Sequence, residues 1–150
     1  MGGSAINDEQ VRAIHTVYLA GGAIDELAEV LGGSGAEVRS RMEALGLPME
    51  REREAWPASP PALAEQHIIV AILAARIDAL RGGTTLQHLA AASHVTESGL
   101  YRMKGSLSDP SLMTVLKVCA GLGVEPGELL HELPTPQHSR RRRGWHPSIR

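Results

Sequence analysis

The sequence predicts an all-α protein, and three observations carry that expectation. Apolar residues recur at three- and four-residue spacing through most of the chain, the period of a helix with one buried face. Aromatics make up 3% of the 150 residues and Phe is absent, so a core must be filled by Leu, Ile, Val, Ala and Met, as in small helical bundles. Ser, Thr and Asp stand before the periodic stretches and glycines after them, which is the punctuation of helix starts and stops.

Residues 5–48 are expected to form a three-helix unit. Asp8 is placed to cap a helix with Val11, Ile14, Val17 and Tyr18 on one face, ended by Gly21-Gly22. A second helix, from about Ala23 to Leu31, turns Ile24, Leu27, Ala28 and Leu31 inward before Gly32-Gly33 breaks it. Ser34 caps a third, with Val38, Met42 and Leu45 inward, closed by Gly46 and stopped at Pro48. Residues 49–60, a charged stretch bracketed by prolines, read as a linker.

Residues 61–133 are expected to hold five short helices. Ile69, Ile72, Leu73, Ile77 and Leu80 make the first a long amphipathic one, ended by Gly82-Gly83. Thr84 or Thr85 caps the next, with Leu89 and Ala90 inward, and Thr96 caps a third around Leu100 and Met103. Ser111 caps a fourth, with Leu112, Val115, Leu116 and Val118 inward, and a last turn follows Pro126, a residue suited to the first helical position. Residues 134–150, with prolines at 134 and 136 and a run of arginines, are expected to be a disordered basic tail.

Net charge is −2, unevenly spread. Residues 134–150 hold five arginines and no acid, whereas residues 1–48 hold three basic and seven acidic groups and residues 61–133 five and seven. Acidity away from a docking face is compatible with a phosphate-bearing partner, because fields between exposed charges fade over about 8 Å at physiological salt. Cys119 stands alone and no charged-then-apolar leader opens the chain, which points to a reducing cytoplasm. The longest apolar run, Ile68 to Ala75, falls far short of the roughly 20 residues that span a bilayer, so no membrane is expected.

Nothing in the motif content nominates an enzyme. The seven histidines lack ligand spacing and read as surface or capping residues, so no metal or other cofactor is expected. Cys119 falls on the inward half of its helix, as packing material, and the carboxylates are dispersed without a phosphate loop or a paired-acid motif.

The stretch TTLQHLAAASHVTESGLYRMKGSLSDPSLMTVLKVCAGLGVEPGELL resembles the Cro/repressor-type (XRE) helix-turn-helix family, and the resemblance covers about half the chain, residues 61–133. Small Ala90 sits where that family's two helices touch, Val95 closes the turn, and Leu100 and Met103 pack the second helix inward. The resemblance implies a lambda-repressor-like five-helix unit whose helix Thr96–Lys104 lies in the major groove of duplex DNA. By helical spacing Glu97, Ser98, Tyr101 and Arg102 face outward as base-contact candidates, Lys104 is placed for a phosphate, and Thr85 and Gln87 for the DNA backbone. Leu86 stands where the family often has a glutamine, and His94 replaces its common turn glycine.

Residues Tyr18 to Pro48 are similar to the tri-helical, homeodomain-like helix-turn-helix units of bacterial regulators and recombinases, with Arg39 and Arg41 as possible DNA contacts. The fold expectation is therefore two small helix-turn-helix bundles. The functional one is a transcription regulator, in first place a repressor, that acts as a homodimer on paired half-sites; the long helix from Leu63 to Leu80 or the N-terminal unit would supply the interface. Arg140, Arg141, Arg142 and Arg143 would add attraction to duplex DNA through counterion release. The alternative is an antitoxin-like or antiactivator module that keeps the fold and binds another protein through its acidic N-terminal unit. A nucleoid or recombination accessory factor using the arginine tail is a third reading.

Overall fold

A computed structural model of the chain describes residues 6–51, 54–56, 61–105 and 109–134. Among them are eight helices and no strand, so the all-α expectation holds. The helices are α1 (Asp8–Ala20), α2 (Ile24–Val30), α3 (Gly35–Ala44), α4 (Pro61–Arg81), α5 (Leu86–Ser93), α6 (Glu97–Gly105), α7 (Leu112–Leu122) and α8 (Pro126–Leu130).

Helix α1 starts one residue earlier than its sequence cap predicted. Asn7, not Asp8, is the cap: its Oδ1 accepts from the Gln10 amide at 2.8 Å while Gln10 Oε1 accepts from the Asn7 amide at 3.0 Å. This reciprocal pair satisfies two of the orphan donors of the first turn, and Ile6 and Val11, both buried, clamp the chain's entry angle. Asp8 is left free to pair with Arg41 of α3. The expected caps Ser34, Thr85 and Ser111 accept from the amides of Glu37, His88 and Thr114. Pro126 takes the first helical position of α8 as expected.

The long helix α4 departs from the amphipathic expectation. Ile68, Val70, Ala71, Ile72, Leu73, Ala74 and Ile77 are all buried, and at 100° per residue they encircle the helix. Of the expected inward set, Leu80 is exposed at 43% and Ile69 is only half-buried. The reason for the departure is that α4 packs against α1 and α2 as well as α6 and α8, so both segments of the chain share one apolar core. A helix apolar all round must be covered all round. Each fully buried Ile or Leu there contributes about 1.5–3 kcal/mol. Of the large apolar side chains of this helix, Leu63 and Leu80 near its two ends remain exposed.

The stretch read as a linker does not hang free over its described residues. His15 is buried, contrary to its surface assignment, and its Nε2 donates to the Pro48 carbonyl at 2.7 Å. The Tyr18 hydroxyl donates to Met49 O, and the Arg51 guanidinium lies 4.4 Å over the Tyr18 ring while donating to the carbonyls of Tyr18 and Gly22. Trp56 donates its amide to Gly21 O at 2.8 Å and packs its ring 4.7 Å from that of His67 on α4. Gly21 is required there: its φ is +129°, and a Cβ would stand 2.6 Å from the Trp56 indole nitrogen. Arg76 of α4 makes a further tie, pairing with Glu9 of α1 and donating to the Leu129 and His131 carbonyls at the end of α8.

Candidate nucleic-acid interface

Helices α5 and α6 are joined by the turn His94–Thr96, and each residue of that turn has a distinct physical task. His94 adopts the left-handed conformation, φ 57° and ψ 37°. That geometry lets the His94 amide reach Ala91 O and the Val95 amide reach Ala90 O at 3.2 Å, closing the end of α5. Val95 then packs against the core, and Thr96 caps α6 by accepting from the Gly99 amide at 3.0 Å. Ala90 is buried at the α5–α6 contact, where a larger side chain would hold the helices apart.

Helix α6 is divided along its length into a buried and an exposed face. Leu100 and Met103 are buried, at 1% and 4% exposure. Thr96, Glu97, Ser98, Tyr101 and Arg102 are exposed, Tyr101 at 55%. Among the described residues Arg102 has no ion pair, so its guanidinium keeps all its donors for an outside group. Lys104 is placed differently: its Nζ sits 2.9 Å from Asp78 Oδ2 on α4, and the other oxygen of the same carboxylate takes Arg81 Nε at 2.8 Å. The ammonium expected at a phosphate is thus held by Asp78, a residue the sequence reading did not single out. No spacing rule links positions 78 and 104; their pairing exists only because α4 and α6 pack together.

At the start of α5, Thr85 and Gln87 are exposed beside His88, and Leu86 is buried at 8% exposure. Leu86 is core, and Gln87 next to it faces solvent. Beyond α6, a cleft of about 270 Å³ is lined by Gly99, Arg102 and Met103 on one side and Asp109, Ser111 and Thr114 on the other.

Comparison of the chain with protein-family models, with curated proteins and with solved structures gives no match.

The remaining candidates do not gather with α6. Arg39 forms a two-pronged pair with Asp25, at 3.2 and 3.1 Å, and Arg41 pairs with Asp8 and donates to Ile6 O. Both arginines therefore fasten α3 to α1 and α2, and their charge is already answered. Helix α3 packs on α1 and α2, whereas α6 packs on α4 and α5. Arg140 to Arg143 lie outside the described residues. Cys119 is buried, as expected, and burial pushes its thiol pKa up, which keeps it protonated and unreactive. Among the described residues no helix is long and apolar enough to cross a membrane.

Proposed function

We propose that this chain is a sequence-specific DNA-binding regulator, of the Cro/repressor type, that reads duplex DNA with α6. One observation carries the reading: α6 buries Leu100 and Met103 and turns Ser98, Tyr101 and an uncommitted Arg102 to solvent. A short helix anchored by one face and polar on the other is what a major groove about 12 Å wide admits. Arg102 is the residue for a guanine edge, Ser98 and Tyr101 donate or accept at neighbouring positions, and Thr85 and Gln87 position α5 on the phosphates. Glu97 at the helix start accepts from a cytosine amino group and repels backbone placed too close, so it selects as well as binds. Two copies on paired half-sites multiply the discrimination of one short helix. The basic run Arg140–Arg143 adds attraction without base preference. The reading implies a cytoplasmic protein that needs no cofactor and performs no catalysis.

Selection of bound duplexes from a random pool, repeated with Arg102→Ala, tests it. The expected result is a recovered motif that degrades at one base position in the variant, with a loss of about 1–3 kcal/mol, roughly 5- to 150-fold in Kd. Recovery of no motif at moderate salt overturns the reading.

A second reading, an antitoxin-like or antiactivator module, draws on a specific observation. Arg39 and Arg41 are consumed by ion pairs, which leaves α1 to α3 with an acidic surface suited to a basic protein. Stoichiometric co-purification of a basic partner, lost when Glu29 and Glu43 are changed to Lys, would move the assignment there.

A further inference from the structure

Leu112 and Leu116 were expected to face the core, and the structure turns them outward together with Met113. They are 70%, 59% and 38% exposed, while Val115, Val118 and Cys119 bury the opposite side of α7. With the exposed Lys117 and Ala120 they form the whole outer face of the helix. Helix α7 contains no acidic residue, and Lys117 is its one charge. The outer faces of the other long helices are different in kind: α1 shows Asp8, Arg12 and Thr16, and α3 shows Arg39, Ser40 and Glu43.

We propose that the outer face of α7 is the surface on which a second copy of this chain docks. Four observations select that occupant. A single cation is too little for a nucleic acid or an anionic membrane, both of which need several. The face is bulky at its start, with Leu112 and Met113, and small at its end, with Ala120. An antiparallel pairing of two α7 helices about a two-fold axis near Leu116 sets the bulky end of each against the small end of the other, and opposes their macrodipoles. The face is also small: three large side chains on a helix about 16 Å long fall well below the roughly 800 Å² per partner of a stable complex. It therefore fits a weak, reversible dimer. Such a pair is what two linked half-sites on one duplex would complete, and that use, though not the contact itself, rests on the DNA reading. The start of α7, at Ser111 and Thr114, lines the cleft whose other wall is Gly99, Arg102 and Met103, so the helix that carries the contact lies next to α6.

The test is sedimentation equilibrium of the full chain from about 5 to 500 µM, at low and high salt. The expected result is reversible dimerisation with a Kd on the order of 10–100 µM. Because the face holds no carboxylate to pair with Lys117, association persists as salt rises, whereas DNA binding weakens steeply. Met113→Glu and Leu116→Glu, both at exposed positions and checked for native helicity, each weaken the dimer at least ten-fold, and Arg102→Ala leaves it unchanged. Leu116→Cys supplies an independent readout: near a two-fold axis it cross-links to its own copy, while buried Cys119 does not compete. A chain that stays monomeric throughout overturns the proposal, as does a dimer indifferent to both Glu substitutions. So does a Met113→Glu variant that melts early, which would place the face against this chain's own residues. Dimerisation through α7 without duplex selectivity removes the regulator reading and leaves the interface. A monomer that selects one duplex does the reverse.

Discussion

His94 shows how much of an interface one backbone conformation can determine. Its left-handed geometry ends α5 and aims α6, and a non-glycine residue adopts it at a cost of about 1–2 kcal/mol. His94→Gly removes that cost and adds chain entropy to the unfolded state, so the expected net gain is under about 1 kcal/mol, seen as a small rise in Tm. His94→Val, β-branched in the same conformation, is expected to lose about 1–2 kcal/mol. Equal Tm values for the two variants would show that the turn is not held as described. At this scale the sequence was informative about geometry: Thr85, Thr96 and Ser111 cap where their patterns predicted, and His94 takes the place of a turn glycine. It was uninformative about charge. Among the described residues Arg102 has no ion pair and Lys104, two residues on, is held by Asp78, and nothing local to either position distinguishes them.

Between elements, small residues decide how closely the helices approach. Gly121 of α7 lies against Ser93 of α5, and a Cβ added there would stand 2.0 Å from Ser93 Oγ and 3.0 Å from Ser93 Cα. The serine hydroxyl is buried without a partner among the described residues, so its value at this position is its size. Gly121→Ala is expected to push α7 off α5 and cost about 1–3 kcal/mol, measured as a lower urea midpoint. Ser93→Ala in the same chain removes the nearest atom but not the backbone contact, so it restores only part of the loss. Full restoration would mean that the backbone gives way more easily than this packing implies. The displaced surface is the one beside α6, so the double variant also reports whether α7 supports α6.

Across the described residues, the ties of Pro48, Met49, Arg51 and Trp56 to the helices join segments that look separate in sequence. The Trp56–His67 ring contact is one of the ties between them, and partial burial of the imidazole lowers its pKa from the ordinary 6.5. The folded chain then binds fewer protons than the unfolded chain in acid, so this contribution to stability is complete above about pH 6.5 and declines as pH falls through that value. Thermal melts between pH 7.5 and 5 should show a shallower decline in His67→Gln than in the parent chain. Identical slopes would remove His67 from the account.

By itself the sequence determined the all-α class, the order of the helices, most of their caps and glycine stops, and the division of α6 into apolar and polar faces. These are local properties: a cap reaches three residues, a face repeats every three or four, and the chain writes both within a single turn. The tertiary structure decided the rest. It packed α4 against α1 and α2 as well as α6 and α8, and so joined two segments into one core. It spent Arg39, Arg41 and Lys104 on carboxylates distant in sequence while leaving Arg102 without an ion pair among the described residues. It also turned Leu112, Met113 and Leu116 outward, since α7 is apolar round most of its circumference and its periodicity cannot say which side meets α5. Burial and pairing depend on which distant surfaces meet, and a pattern of three and four residues carries no record of that.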